Sequence, residues 1–395
     1  MERTDGQIVV KNRLSFIGFV IIGIFIIIAI PGYLIVPDKT PYSNEQNLSI
    51  AAKPPMFRIK MISIRKNRII AANTFFHTML FGKKSIYTCI PIDSFRFEGD
   101  SIKIYEFSDS GKDGILQSGF HLVNSVYTVK NRNQLFKDVS GNYHFIDLTG
   151  KKIIVSPFTI KQIIIENQIK ERTFILGTDK FGRDMSSRLI IGTRVSLSVG
   201  LIAVFISLLI GIPLGLTAGY YKGIVDLAVS WIVNIVWSVP SLLMVLSITL
   251  ILGKGFWQVF LAIGLTMWVE VARVVRGQVL AVREKEFIEA GKALGFSDFR
   301  ILFRHILPNI MAPIIIISAA NFASAILIEA GLSFLGIGIQ PPIPSWGNMI
   351  KDHYAYIILN KPFLAIMPGI AIMLMVLAFN FIGNGLRDAF DTRMK

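Results

Sequence analysis

Six uncharged, strongly apolar runs constrain this chain more than any other feature of its sequence. A helix needs about 20 apolar residues to cross the hydrocarbon core of a bilayer, where it must satisfy its own backbone hydrogen bonds. Five of the runs are long enough, and the fourth is shorter because Glu270 interrupts it. We therefore predict an all-α polytopic membrane protein with six spans. The predicted spans cover about residues 14–37, 195–221, 227–253, 255–272, 306–330 and 362–386.

The distribution of lysine and arginine predicts the orientation of these spans, because short cytoplasmic loops are enriched in both residues. Positive residues cluster at Arg3, Lys11 and Arg13, again between residues 273 and 304, and in the tail that follows the last span. Six spans bring these three regions to one side, so we predict that both termini are cytoplasmic. The formal net charge of +15 accompanies 52% hydrophobic residues. It therefore indicates a membrane protein whose basic residues set its orientation rather than a protein that binds nucleic acid.

Residues 38–174 interrupt the apolar pattern, and they predict a soluble, β-rich α+β domain inserted between spans one and two. Phe95, Phe97, Ile102 and Ile104 alternate with polar residues, which is the period of a half-buried strand. A hairpin is predicted over residues 143–155. This topology puts the domain outside the cytoplasmic membrane although its 20 Lys+Arg and 12 Asp+Glu give 20 − 12 = +8. Long translocated loops are largely exempt from the charge rule.

The inserted domain is predicted to end in a helix that begins at Ser156-Pro157, a cap followed by a proline in the first turn. Apolar residues occupy two faces of this helix, so we predict that both faces are buried. The first face carries Ile160, Ile163 and Ile164, and the opposite face carries Phe158, Ile165 and Ile169.

The segment 283–308, before span five, has the pattern of two short amphipathic helices separated by Gly295. The apolar residues of each helix recur at i, i+3, i+4 and i+7. Such a pair suits docking into the groove of a partner protein, and it suits equally a position flat on the bilayer. The two stripes are Phe287, Ala290, Gly291 and Leu294, and Phe299, Leu302, Phe303 and Ile306.

The same segment resembles the coupling loop of importer permeases of the ABC superfamily. The pattern of that loop is Glu-Ala-Ala, a glycine four residues beyond the second alanine, and then Ile-x-Leu-Pro or Ile-Leu-Pro. In this sequence Gly291 replaces the second alanine and keeps the position small. The matching residues are Glu289, Ala290, Gly291, Gly295, Ile306, Leu307 and Pro308.

Three further segments resemble the dipeptide, oligopeptide and nickel permeases, in particular their second permease subunit. They are Lys11–Gly18, Leu176–Leu197 and Glu329–Gly347. The resemblance covers roughly residues 11–50 and 175–395, and residues of about 51–173 fall outside it because that loop is usually much shorter. The segment 268–273 departs from the pattern, since it carries Glu270 where a neutral or basic residue is expected.

The resemblance implies a type I importer permease architecture. It divides the chain into a cytoplasmic N-terminus with the first span (1–37), the inserted domain (38–174) and the transporter domain (175–395). It implies that this chain lies in the inner membrane as a heterodimer with a second permease subunit. The further partners that it implies are two ATPase subunits and an extracytoplasmic substrate-binding protein. The alternative is a secondary transporter or a membrane receptor with 38–174 as sensory domain. That alternative leaves the coupling segment unexplained.

The sequence contains no Gly-x-x-x-x-Gly-Lys-Ser/Thr motif of the kind that cradles phosphates. We therefore predict a transport subunit that is not itself an enzyme and has no cofactor of its own, with ATP and magnesium on the partner ATPases. His77, His121 and His144 have no ligand-like spacing, so no metal site is predicted. No substrate-binding residue is singled out, because specificity in the resembled family lies largely in the binding protein.

Small and acidic residues inside the predicted spans complete the candidate sites. Gly211, Gly215 and Gly219 have the small-x-x-x-small spacing that lets two helix backbones approach closely. Glu270 and Glu329 are intramembrane acids, which are costly against lipid and are therefore expected to face protein, water or the interface. Arg273 is near enough in sequence to pair with Glu270.

Overall fold

The computed structural model of this chain describes residues 13–71, 73–108, 116–253 and 255–390. Arg3 and Lys11, and the tail residues Arg393 and Lys395, lie outside these ranges. The chain divides into two compact units. We call residues 31–191 and 355–364 the sheet unit, and residues up to 30, 192–354 and those from 365 onward the helical unit.

The first apolar helix, α1, covers Arg13–Ala29 and is followed by a short 3-10 turn over Gly32–Leu34. Most of its large apolar side chains are exposed in the isolated chain. A helix that is apolar all round is expected in a membrane span. The helix has 17 described residues, fewer than the 24 of the predicted span 14–37, because the chain turns at Pro31-Gly32.

A five-stranded antiparallel sheet organises the sheet unit, with strand order β4-β3-β2-β1-β8. The predicted alternation over Phe95–Ile104 is confirmed as the paired strands β2 and β3, with Phe95 opposite Ile104. A second sheet contains β5, β6 and β7 in that order. The strands are Phe57–Arg65 (β1), Tyr87–Glu98 (β2), Ser101–Glu106 (β3), Leu116–His121 (β4), Phe136–Lys137 (β5), Tyr143–Ile146 (β6), Lys152–Val155 (β7) and Ile169–Phe174 (β8).

Three short helices accompany the sheets: Phe75–Phe81 (α2), Leu122–Val126 (α3) and Pro157–Ile163 (α4). The predicted cap of α4 is confirmed, since the Ser156 side chain accepts a hydrogen bond from the backbone N–H of Thr159 and Pro157 occupies the first turn. The predicted burial of both faces is wrong. Ile160 and Ile164 are fully buried, whereas Phe158 and Ile165 are exposed, and Ile169 belongs to β8 rather than to the helix. The helix therefore covers the core with one face only.

The segment Leu176–Arg188, which the resemblance assigned to the transporter domain, packs within the sheet unit. Thr178 Oγ1 accepts a hydrogen bond from the backbone N–H of Lys53 and donates one to the carbonyl of Ile50. Arg183 Nε lies 2.6 Å from Asp179 Oδ2, and both residues are buried. The boundary between the two units therefore differs from the predicted boundary at residue 175.

Ten helices of the described chain follow strand β8: Met185–Tyr221 (α5), Gly223–Ser238 (α6), Ser241–Leu252 (α7), Phe256–Arg283 (α8), Glu286–Ala293 (α9), Asp298–Arg300 (α10), Leu307–Asn309 (α11), Met311–Phe334 (α12), Trp346–His353 (α13) and Phe363–Phe390 (α14). Within the described ranges, α5, α8, α12 and α14 are long and apolar enough to cross a membrane. The protein is therefore a helical membrane protein, and these four helices match predicted spans two, four, five and six.

Two predicted spans differ in detail from the observed helices. The third, 227–253, is not one straight helix, because α6 and α7 meet at a bend of 92° next to Val239 and Pro240. Proline has no backbone N–H to donate and disfavours helical geometry in the residue before it, which explains the break. The fourth, predicted to stop at 272, continues to Arg283. Val275, Val279 and Val282 extend its buried face beyond Glu270.

Candidate functional site

The predicted coupling loop, 283–308, overlaps the end of α8. We call its remaining part, residues 286–309, the coupling segment, and it folds as a helix, a turn and a second irregular helix. Helix α9 begins with Glu286 and Glu289 in its first turn, where acidic side chains stabilise the helix dipole. Gly295 has φ of +73°, a value that favours glycine, and turns the chain. The Ser297 side chain then accepts a hydrogen bond from the backbone N–H of Arg300, as expected of a helix cap. A π-helical turn over Ile301–Ile306 leads into α11 at Leu307-Pro308.

One face of this segment is fastened to the long helices of the helical unit. Ile288, Ile301 and Ile306 are each at most 1% exposed and share one apolar cluster with Val279 and Val282 of α8. Burying an aliphatic side chain of this size contributes roughly 1.5–3 kcal/mol. The segment is therefore packed against α8 through a buried apolar contact rather than being a loose loop.

The opposite face exposes large apolar side chains. Leu294 is 73% exposed and Phe299 is 70% exposed, and Phe287 and Phe303 are also exposed. The rings of Phe299 and Phe303 lie with their centroids 4.5 Å apart. Apolar side chains clustered on a surface with a polar rim are typical of protein contact sites.

The two predicted stripes are therefore divided between these faces. Gly291, Leu302 and Ile306 point into the chain's own core, while Phe287, Leu294, Phe299 and Phe303 point outward. Ala290 and Glu289 are also exposed. Apolar spacing in the sequence predicts that these residues lie on one side of a helix. Only the tertiary structure shows which of them are buried against the rest of the chain.

Polar contacts that the sequence analysis missed fix the segment further. The hydroxyl of Tyr220, at the end of α5, lies 2.7 Å from Asp298 Oδ1. Lys222 Nζ lies 2.8 Å from Glu284 Oε1, between α6 and the end of α8. Both contacts join residues more than 60 positions apart in the chain, and no local sequence pattern signals them.

The three spaced glycines lie along one helix contact. A Cβ atom at Gly211 would stand 2.6 Å from Val271 Cβ, one at Gly215 would stand 2.6 Å from the Ala272 carbonyl, and one at Gly219 would stand 2.7 Å from Val279 Cβ. All three neighbours are in α8. Helix α5 therefore approaches the backbone of the helix that carries the coupling segment more closely than any side chain would allow.

Glu329 is buried in α12 and its carboxylate organises the turn that follows. Its Oε1 accepts hydrogen bonds of 2.6 Å from the hydroxyls of Ser333 and Ser345. Ser333 Oγ in turn accepts from the backbone N–H of Ile339. The carboxylate thus ties α12 to the start of α13 across the intervening loop, which is a structural use of an intramembrane acid.

We expect Glu329→Ala to destabilise the folded protein by about 1–3 kcal/mol, because buried hydroxyls lose their acceptor. Thermal unfolding of the purified protein in detergent measures the change. Glu329→Gln keeps one acceptor oxygen and is expected to lose less stability. Equal losses for both variants would contradict this assignment.

Glu270 occupies a different environment, an open cleft of about 400 Å³ at the bend between α6 and α7. Trp237, Pro240 and Met244 line the same cleft. The expected pairing with Arg273 is not observed. Arg273 instead lies over the Trp237 ring, 3.3 Å from its centroid. Among the described residues no ion pair joins Glu270 to a cation.

Comparisons with known proteins identify relatives of the helical part of this chain. The family profile described as "Binding-protein-dependent transport system inner membrane component" matches residues 211–395. The dipeptide transport system permease protein DppC of Alkalihalophilus pseudofirmus is 46% identical over 219 residues, which are 55% of this chain and 72% of that protein. The glutathione transport system permease protein GsiD of Pectobacterium atrosepticum is 40% identical over 220 residues, 56% of this chain and 73% of that protein.

Solved structures show a more distant likeness. The MetNI methionine ABC transporter, in inward-facing conformations, has a TM-score of 0.44 at 20% identity, covering 52% of this chain and 97% of the other chain. An amino acid ABC transporter determined with histidines has a TM-score of 0.40 at 18% identity, covering 50% of this chain and 92% of the other.

Proposed function

Because the chain belongs to the family of binding-protein-dependent transport system inner membrane components, we propose that it is a permease subunit of an ATP-driven peptide importer. Relatives named for dipeptide and for glutathione transport support short peptides and glutathione-like compounds as cargo. Nickel and other small solutes are the remaining cargo classes that the sequence resemblance implies.

The exposed face of the coupling segment carries this proposal. Phe287, Leu294, Phe299 and Phe303 present an apolar surface on a support that is fastened to α8. In the proposed mechanism an ATPase subunit holds this surface in a groove. Closure of two ATPase subunits on ATP then displaces the coupling segment, and α8 and α5 move with it. The spans thereby alternate between inward-open and outward-open states.

The proposed assembly contains this chain, a second permease subunit, two ATPase subunits that bind ATP and magnesium, and an extracytoplasmic binding protein that delivers cargo. In this assembly α1 and the bent pair α6–α7 complete six spans together with α5, α8, α12 and α14. The cleft at the bend, with Glu270 on its wall, would then face the second permease or the cargo pathway rather than lipid.

Uptake by proteoliposomes that contain the complete assembly tests the proposal. Labelled dipeptide and glutathione are offered with the binding protein, with ATP or a non-hydrolysable analogue enclosed. The proposal requires uptake that depends on ATP hydrolysis and on this chain. Uptake driven by an imposed ion gradient without ATP would favour the secondary transporter instead.

We further propose that both termini are cytoplasmic and that residues 38–174 are extracytoplasmic. A reporter that is active only outside the cytoplasm is therefore expected to be active when fused at Gly141 or Gly150. Both residues are in turns with open space around them. Gly111, a further fusion position chosen from the sequence, lies outside the described residues. The same reporter fused at Gly295 is the control and should be inactive. An inactive reporter in both insert fusions, at normal expression, would contradict the topology.

The single cysteine is a poor probe for this topology. Cys89 is half-buried in β2, with its sulfur 3.7 Å from Ser63 Oγ. Burial, reinforced by the nearby charge of Glu45, raises the pKa of the Cys89 thiol to about 11. Thiol reagents react with the thiolate, which is scarce at neutral pH with such a pKa. Inserted reporters are therefore preferable to labelling of the native thiol.

A further inference from the structure

Helix α2 of the sheet unit exposes large apolar side chains to solvent. Phe76 is 69% exposed, Phe75 and Phe81 are each 63% exposed, and Leu80 is half exposed. Ile69 adds a further exposed side chain just before the helix. So many exposed phenylalanines on seven residues are unusual on a surface that meets only water.

Positively charged residues flank this apolar helix in the sequence. The 20 residues from 65 to 84 contain five cations and no aspartate or glutamate, and the cations are Arg65, Lys66, Arg68, Lys83 and Lys84. A cleft of about 600 Å³ beside α2 is lined by Arg68, Lys84 and His77 together with apolar residues, and none of its described lining residues is acidic. Phenylalanine and leucine flanked by lysine and arginine are typical of segments that lie in a membrane interface.

The end of α2 packs against residues of the sheet unit that come soon after α1 in the chain. A Cβ atom at Gly82 would stand 2.8 Å from the Lys39 carbonyl and 3.1 Å from the Tyr33 ring, and the backbone N–H of Lys83 donates to the same carbonyl at 2.8 Å. Tyr33 follows the last residue of α1, Ala29, by only four positions. Four residues of chain reach at most about 14 Å. The stretch of chain that holds the end of α2 therefore begins no more than about 14 Å from the last residue of α1.

We propose that α2 is an interfacial anchor that inserts Phe75, Phe76, Leu80 and Phe81 into the bilayer around α1, with the five flanking cations at anionic lipid headgroups. The apolar side chains would leave water for the boundary of the acyl chains, and each cation near an anionic surface adds attraction. The anchor would hold the inserted domain against the membrane. This inference does not depend on the cargo, on the ATPase or on which side of the membrane the domain occupies.

A spin label on the full-length protein tests the anchor. Cys89→Ser removes the native thiol, and a nitroxide is then attached at Phe76→Cys, or at Phe158→Cys as a control that is equally exposed in the same unit. The protein is reconstituted in vesicles of phosphatidylcholine and phosphatidylglycerol. For each label we compare the accessibility to oxygen with the accessibility to a water-soluble nickel chelate. The ratio of the two is expected to be several-fold higher for the label at residue 76 than for the label at residue 158.

Equal accessibility to the nickel chelate at both positions would overturn the proposal. Protection at residue 76 that arises only after a substrate-binding protein is added would also overturn it, in favour of a protein contact. Omitting phosphatidylglycerol is expected to reduce the protection. Unchanged protection in purely zwitterionic vesicles would contradict the role given to the cations. A label at Leu80→Cys repeats the test at a second position. Adding Phe75→Asp to that labelled protein puts a charge into the proposed anchor and is expected to reduce the protection of the label.

Discussion

Phe299→Asp is expected to abolish ATP-driven uptake while the protein still inserts in the membrane. The ring of Phe299 is 70% exposed and stacks on Phe303, so the change removes no core contact of the chain itself. It places a charge in the middle of the surface that we propose is buried against an ATPase. Truncation of a central aromatic residue in an interface commonly costs 2 kcal/mol or more, which is a factor of about 30 in affinity, and a buried unpaired charge costs more.

The matched control for this variant is Phe158→Asp, which introduces the same charge at an exposed phenylalanine of the sheet unit and should leave ATP-driven uptake unchanged. Glu289→Lys is expected to act like Phe299→Asp, because it reverses a charge in the first turn of α9. It also removes the favourable interaction of an acid with the helix N-terminus. Normal uptake by both coupling-segment variants, at normal expression, would contradict the role given to this surface.

Gly215→Ala is expected to cause a large loss of stability for so conservative a substitution. The added methyl group would stand 2.6 Å from the carbonyl of Ala272 and 2.7 Å from Val275 Cβ. A backbone carbonyl inside a helix cannot rotate away, so α5 and α8 would have to separate along their whole contact. Overpacking typically costs 1–3 kcal/mol, and we expect at least about 3 kcal/mol here.

Gly277→Ala is the control, because this glycine of α8 has no atom within 4 Å of an added Cβ. Alanine is favoured over glycine inside a helix by about 1 kcal/mol, so this variant should be as stable as the wild type or more stable. Thermal unfolding in detergent compares the stability of the two variants. The monodisperse fraction in size-exclusion chromatography is the quantity measured at each temperature. Equal stability of both variants would show that α5 and α8 tolerate separation at this point.

Local chemistry made much of the fold predictable. The cap at Ser156, the proline that follows it and the turn at Gly295 each need only a few neighbouring residues, and the structure contains all three. The hairpin over residues 143–155 is equally local. The long apolar runs predicted six spans, and four of them are single long helices in the described chain, because a helix satisfies its backbone hydrogen bonds within one apolar run.

Features that depend on distant partners were not predictable in this way. The amphipathic pattern of α4 could not show that Phe158 would remain exposed, since nothing in the pattern says which neighbours exist to cover it. The pair Arg172–Glu45 joins residues 127 positions apart. Glu270 stopped the predicted fourth span because it is charged, whereas the buried valines after it continue the helix to Arg283.

The same distinction holds for the candidate site. The sequence motif located the coupling segment and its turn, because the motif consists of neighbouring residues. It did not show which apolar residues pack against the rest of the chain and which remain exposed. That division depends on the packing of Ile288 and Ile306 against α8. The bonds of Glu329 to Ser333 and Ser345 likewise depend on how the loop after α12 folds back.

The most direct test of the account is a photo-crosslinking side chain at Phe299, in the full assembly, with Phe158 as the control position. Binding of an ATPase subunit at the exposed face predicts a crosslink from residue 299 to that subunit and none from residue 158. Phe303→Asp in the same chain should remove the crosslink. In an assembly that still imports cargo, crosslinks from residue 299 to lipid alone would contradict the claim that this surface couples the spans to ATP.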